Sequence, residues 1–206
     1  MSHVTSLWRG ELPLVLASQS HARRMLLANA GLACDAVPAD IDERAIQQEA
    51  GLIAPYEIAL HLAQAKALAV SGTKPGHHVV GADQTLALGD RLFNKPDGRH
   101  QAMQQLLALA GRTHALHSAI VVARDGEVLF SHVAIAWMTM RALGEADVAT
   151  YLDQAGDTVM SSVGVYQLEG LGVHLFERID GDHFTILGLP LLPLLAFFRE
   201  AGLLRI

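Results

Sequence analysis

One cysteine, Cys34, occurs in 206 residues. No internal disulfide is possible, and no cysteine pair exists for a zinc ribbon. A chain of this length buries roughly 70% of its unfolded surface, so it needs no covalent or metal staple. Charged residues make up only 17%, too few for a disordered tail protein or a nucleic-acid coat. The net charge of −6 argues against the basic surface that a sequence-independent DNA binder needs. Lysine is scarce, with Lys66, Lys74 and Lys95 set against twelve arginines. Long apolar runs are also missing. Residues 12–17 follow Glu11 and are too few for a signal h-region. The richest stretch, 186–198, is interrupted by Pro190 and Pro193 and falls short of the roughly 20 residues of a membrane span. It reads as a buried helix. The expectation is a soluble, cytoplasmic, globular protein with no nucleic-acid or membrane partner.

Several chemistries lack their signatures. There is no H-E-x-x-H, Walker A lysine loop or G-x-S-x-G elbow, and Gly170-Leu171-Gly172 lacks the rest of a dinucleotide fingerprint. Eleven histidines are present, but His114 and His117 are three apart in a strand-like run and point to opposite faces.

Apolar runs alternate with helical patterns, which predicts an α/β fold. Residues 12–17 read as a first strand, followed by a helix with Ser20 as N-cap, Met25, Leu26 and Leu27 inward and Gly31 closing it. Residues 33–37 read as a second strand. Pro55 opens a helix in which Ile58, Leu62, Ala65 and Ala69 recur on one face. Residues 78–82 form a buried-type strand ending at Asp83. Asp97 is placed to cap a helix reaching Leu109. Residues 113–123 and 127–140 are β-rich and meet at Asp125-Gly126, a hairpin signal. Residues 145–152 read as a short helix. A second hairpin, 173–179 with 183–187, is predicted around Asp180-Gly181, and a helix from near Pro190 ends the chain.

Five features could carry chemistry. Ser18, Ser20, Ala22, Arg23 and Arg24 lie where a strand opens into a helix, whose free N–H groups and dipole attract anions. Arginine adds bidentate donors for phosphate; the alternative is a capped helix with solvated arginines. Asp83, in Gly81-Ala82-Asp83-Gln84, follows an apolar strand, where open α/β sheets bind ligands. It could hold a divalent metal or orient a water, or it could simply cap the next element. Asp40, Asp42 and Glu43 offer hard oxygens suited to Mg²⁺ or Mn²⁺, or form a solvated acidic loop. Lys95 precedes Pro96, which restricts its backbone. Lys66 lies among alanines and either snorkels outward or meets an anion.

In order and spacing these pieces resemble the Maf family of septum-formation-inhibitor-like nucleotide pyrophosphatases, over residues 14–202. Leu16 to Ser20 and Arg23 match its L-A-S-x-S-P-R-R, with His21 and Ala22 replacing the proline and first arginine. Asp42-Glu43, Leu62-Ala63-Gln64-Ala65-Lys66-Ala67, Gly81-Ala82-Asp83, Lys95-Pro96 and Gly188-Leu189-Pro190-Leu191 match its later motifs. The resemblance implies an elongated mixed β-sheet with flanking helices and two lobes around a central cleft. It treats residues 1–206 as one Maf-like domain, with 1–10 as an N-terminal extension.

It also implies hydrolysis of a nucleoside triphosphate to the monophosphate and pyrophosphate with a divalent metal, Mg²⁺ or Mn²⁺, in a chain that can be a homodimer. Asp83 would accept the proton of water, and Glu43 and Asp83 would hold the metal. Arg23, Lys66 and Lys95 would hold phosphate oxygens; Ser18, Ser20, Ala22, Gln84 and Glu169 complete the expected substrate contacts. Many members carry D-K-A-G-A-Y-G-I-Q-G where this chain has Ser161-Ser162-Val163-Gly164-Val165-Tyr166-Gln167-Leu168-Glu169-Gly170. Those changes point away from the dTTP/UTP-preferring branch. Gly81-Ala82-Asp83-Gln84 and Leu175-Phe176-Glu177-Arg178 are closer to the branch acting on 7-methyl-GTP, although Ala22 stands where that branch carries tryptophan. A carboxylate at Glu169 accepts both donors of guanine, N1–H and the exocyclic amine, and repels the carbonyls of uracil and thymine. With Asp-Lys replaced by Ser161-Ser162, a weakly catalytic nucleotide-binding regulator of cell division is the alternative. A monophosphatase releasing orthophosphate is a third reading.

Overall fold

A computed structural model describes residues 7–51 and 54–206. Its elements run β1 (Leu14–Leu16), α1 (His21–Asn29), β2 (Cys34–Ala36), α2 (Glu43–Ala50), α3 (Pro55–Ser71), β3 (Val79–Leu88), β4 (Arg91–Phe93), α4 (Arg99–Leu109), β5 (Thr113–Arg124), β6 (Glu127–Met140), α5 (Glu145–Ala155), β7 (Phe176–Asp180), α6 (His183–Ile186) and α7 (Leu191–Glu200). Seven strands form one mixed sheet in the order β2-β1-β3-β5-β6-β7, with β4 pairing β3. β1 is parallel to β2 and β3, while β4 and β7 are antiparallel to their partners. The α/β expectation is therefore met. No described helix is long and apolar enough to cross a membrane.

The chain divides into two compact units. One holds the described residues up to Asp83 together with Ser118–Ala134 and Gly188–Ile206; the other holds Gln84–His117 and Ile135–Leu187. In the first unit, α3 turns a face of small residues inward. Ala59, Ala63 and Ala67 pack on Ala119, Val121 and Ala123 of β5. Small side chains let the helix come very close to the sheet. A Cβ added at Gly81 would overlap the Ala63 carbonyl oxygen and lie 2.7 Å from the Ala67 nitrogen. The buried face of α3 is thus Ile58, Ala59, Leu62, Ala63, Ala67, Val70 and Ser71. The expected stripe is corrected here: Ala65 is half-buried and Ala69 exposed, because fit against Gly81 and β5 selects the face. Gly81→Ala is expected to destabilise the protein by about 3 kcal/mol, since backbone cannot be moved aside by a rotamer change. Urea unfolding measures this, and a loss under about 0.5 kcal/mol would contradict the packing.

Local chemistry sets most termini. Ser20 caps α1, accepting from the Arg23 N–H, and Gly31 (φ +74) follows its C-terminus. The hairpin turn Asp125-Gly126 has both φ values positive, as a two-residue turn requires. Of the expected extension 1–10, residues 1–6 lie outside the described residues. Trp8 bridges to Leu204 and packs edge-on against Phe198.

Other expectations need correction. β3 does not stop at Asp83 but runs on to Leu88, because Leu86 and Leu88 pair with Phe93 and Arg91 of β4. Gly98, not Asp97, is the N-cap of α4; the Asp97 N–H instead donates to Gln101 Oε1. The second hairpin does not form. Residues Leu171–Leu175 are a 3-10 turn, β7 pairs with β6, and the Asp182 side chain caps α6 by accepting from the Thr185 N–H.

In the second unit, His114 is fully buried and its Nε2 shares a 2.7 Å hydrogen bond with the Tyr166 hydroxyl. Burial pulls its pKa from 6.5 to about 4. The folded chain therefore disfavours protonation, so this contribution to stability is complete above about 6.5 and is lost as pH falls towards 4. Over that window the loss is about 3 kcal/mol. His114→Gln keeps a hydrogen-bonding group without titration and is expected to flatten the profile measured by urea unfolding. An identical pH dependence in the variant would contradict this role.

Candidate active site

The site in the first unit starts at the end of β1. The Ser18 N–H donates to Leu16 O, Ser18 Oγ accepts from the Ser20 N–H at 3.2 Å, and Ser20 Oγ accepts from the Arg23 N–H at 3.4 Å. These bonds fold residues 17–23 into a tight turn opening α1 and leave Ser18, Ser20 and Ala22 partly exposed. The turn also aims Arg23. Its Nε donates to Gly188 O at 2.8 Å, and its Nη1 donates to Ala82 O at 2.8 Å and to Ser18 Oγ at 3.3 Å. Gly188 sits at φ +84, and a Cβ there would lie 3.3 Å from the guanidinium. Glycine is thus required both for the turn and for the close approach. Burial pulls the Arg23 pKa down, opposed by the charges of Asp83 and Glu43.

Asp83 lies on β3 one residue beyond Ala82, and Lys66 lies on α3. The close packing at Gly81 brings the two together. Lys66 Nζ is 2.6 Å from Asp83 Oδ1 and 2.8 Å from Glu43 Oε1. The side chains of Lys66 and Asp83 are 12% and 10% exposed, that of Glu43 52%. Burial pushes the Asp83 pKa up, while Lys66 and Arg23 pull it down and Glu43 adds to the rise. Two carboxylates thus converge on one ammonium, with the guanidinium of Arg23 contributing positive potential.

The acidic trio separates. Glu43 joins the cluster, Asp42 Oδ1 caps α2 by accepting from the Ala45 N–H at 3.0 Å, and Asp40 is exposed. Among the described residues no group of three or more His, Cys, Asp or Glu could hold a metal ion. Glu43 and Asp83 still suit Mg²⁺ or Mn²⁺, ions that commonly take one or two carboxylates and complete their shell with water and substrate phosphate. Both carboxylates already reach one cation here.

The remaining predicted residues belong to the second unit. Gln84 uses its Nε2 to donate to Thr185 O and Ile186 O, both at 3.1 Å, so its amide hydrogens are committed to main chain at α6. Lys95 is exposed just after β4, and Glu169 is exposed beside Gly170. Sequence reasoning missed the carbonyls of Ala82 and Gly188 as acceptors for Arg23. The glycine at 188 was the one available signal. Lys66, expected either to snorkel outward or to meet an anion, meets two, bridging the carboxylates of Glu43 and Asp83.

A family model described as Maf-like protein matches residues 13–201. A curated relative named nucleoside triphosphate pyrophosphatase, from Bradyrhizobium diazoefficiens, is 64% identical over 97% of this chain and 99% of its own. One of the same name from Nitrobacter hamburgensis is 60% identical over 98% of this chain and 100% of its own. A relative named 7-methyl-GTP pyrophosphatase, from Mesorhizobium japonicum, is 53% identical over 92% of this chain and 96% of its own.

Proposed function

The chain belongs to the Maf family, and on that premise we propose that it is a nucleoside triphosphate pyrophosphatase. The observation that carries the reading is the Glu43–Lys66–Asp83 cluster beside the Ser18–Arg23 turn. Water would attack the α-phosphorus, forming a new P–O bond. The bond from that phosphorus to the bridging oxygen would break with its electron pair leaving on pyrophosphate. The proton of water would pass to a carboxylate oxygen of Asp83. Burial disfavours the charged form of Asp83, which favours its taking up a proton.

Glu43 and Asp83 would hold a divalent cation, which when bound supplies charge neutralisation on the phosphate oxygens. Lys66 would exchange a carboxylate partner for a phosphate oxygen, and Lys95 would bind the anionic leaving group. Ser18 and Ser20 would line the phosphate side. Arg23 has its Nε and Nη1 engaged with the protein, so it holds the turn in shape and offers Nη2 to the substrate. Most of the rate would come from position and electrostatics.

Within this reading the substrate is a guanine-type triphosphate such as 7-methyl-GTP, selected by Glu169 and consistent with the name of the Mesorhizobium relative. Glu169 is exposed, so its pairing with guanine works in partial contact with water. Glu169→Gln is accordingly expected to shift kcat/KM from guanine nucleotides towards UTP and dTTP by only about fivefold, close to 1 kcal/mol. A wild-type preference for UTP or dTTP over every guanine nucleotide would contradict it. The activity is tested by following pyrophosphate release from a nucleotide panel with Mg²⁺ or Mn²⁺. Turnover of none, with tight binding retained, would favour the regulator; orthophosphate as product would favour a monophosphatase.

A further inference from the structure

The segment carrying Glu169 is strained. Gly164 and Val165 are consecutive left-handed residues at φ +77 and +62. Valine is β-branched, and a positive φ there is a genuine outlier. Such strain persists only where the surroundings over-determine it, and it concentrates at functional sites. The surroundings here are specific. The Tyr151 hydroxyl, on α5, donates to Val165 O at 3.1 Å, and the Val165 N–H donates to Ser162 O at 3.2 Å. The next residue, Tyr166, shares its hydroxyl with His114 Nε2 on β5 and sets its ring edge-on to Phe176 at 4.8 Å. Any side chain at Gly164 would strike Leu86 and the Tyr166 ring.

The far flank of the segment is fixed as well. A Cβ at Gly172 would overlap Gln167 O, so the 3-10 turn Leu171–Leu175 backs directly onto the Gln167 main chain. Gln167 O also accepts the Gly170 N–H at 3.2 Å. Glu169 is therefore the exposed charged tip of a turn whose two ends are held from inside. If Val165 relaxed to an ordinary φ, the chain leading to Glu169 would change direction.

We propose that Tyr151 and His114 are positioning residues for nucleobase selection: by locking the strained Gly164–Tyr166 turn they fix where the Glu169 carboxylate stands. This rests on the base-reading role of Glu169 proposed above. Tyr151→Phe keeps the ring and removes only the hydroxyl. It is expected to lower the ratio of guanine to uracil kcat/KM by about fivefold, expressed in KM for the guanine nucleotide rather than in kcat. Tyr166→Phe, which removes the contact with His114, should move the ratio the same way. Glycine adopts φ near +62 without strain, so adding Val165→Gly to Tyr151→Phe should restore much of the ratio.

The experiment measures GTP, 7-methyl-GTP and UTP kinetics for wild type, Glu169→Gln, Tyr151→Phe, Tyr166→Phe and Tyr151→Phe/Val165→Gly. Amide exchange over 163–170 is followed in parallel. A lowered ratio with faster exchange in both tyrosine variants, recovered by Val165→Gly, is the expected result. If Glu169→Gln changes the ratio while neither tyrosine variant does, the positioning role is overturned and the Glu169 reading stands. If Glu169→Gln leaves the ratio unchanged, the Glu169 reading fails and the positioning role falls with it. A parallel loss of activity on all three nucleotides would make the tyrosines merely structural and also overturn the proposal.

Discussion

Asp83→Asn is expected to lower kcat by about a thousandfold, within the range that general acid–base groups command, while leaving the fold in place. Asparagine keeps the shape of the side chain, and its carbonyl oxygen can still accept from Lys66. Lys66 also keeps Glu43 at 2.8 Å. The buried carboxylate is held against its own desolvation, so replacing it with a neutral amide removes a cost along with the attraction to Lys66. Stability should stay within about 1–2 kcal/mol of wild type. Removing the charge takes away a proton acceptor and a proposed cation ligand together. Steady-state pyrophosphate release checks this against a thermal melt of the same preparation. Turnover within about tenfold of wild type would remove Asp83 from catalysis.

Lys66→Met should damage both activity and stability. Methionine keeps the length of the side chain and removes its charge. Asp83 would then be a buried carboxylate facing Glu43 with its hydrogen-bonded cation gone. Breaking a buried pair from one side costs about 3–5 kcal/mol, and the half-exposed Glu43 places the expected loss near the lower figure. Without Lys66 the larger of the two pulls that lower the Asp83 pKa is lost and only that of Arg23 remains, so the carboxylate is left charged at a higher cost. The double variant Lys66→Met/Asp83→Asn removes the stranded charge and is expected to be about 2 kcal/mol more stable than Lys66→Met alone. Urea unfolding of the four proteins forms the cycle. Simple additivity would mean that the 2.6 Å contact between Lys66 and Asp83 contributes nothing to the fold.

What could be read in the sequence was mostly what local chemistry decides. Ser20 and Gly31 bound α1, Pro55 opens α3 and Asp125-Gly126 turns the hairpin, because each acts through its own backbone and near neighbours. Non-local fit was not legible. The face of α3 is chosen by Gly81, which sits on another element. β3 passes straight through Asp83 because β4 pairs with its second half, whereas a charged residue reads as the end of an apolar run. β7 exists because β6 offers it a partner. At the site, Arg23, Glu43, Lys66 and Asp83 could be named from motif order, and the structure brings these four into one cluster. Their connections could not be named. The acceptors of Arg23 are main-chain carbonyls, which every residue type carries, and the bridging of two carboxylates by Lys66 depends on how closely α3 packs on β3.

In the proposed reaction water attacks the α-phosphorus and pyrophosphate departs. Hydrolysis in water enriched in heavy oxygen, with mass analysis of both products, tests it most directly. The expected result is one heavy oxygen in the nucleoside monophosphate and none in the pyrophosphate, with Asp83→Asn giving the same products about a thousandfold more slowly. Label in the pyrophosphate, or label in released orthophosphate, would place the attack on another phosphorus and rule out α-phosphorus hydrolysis.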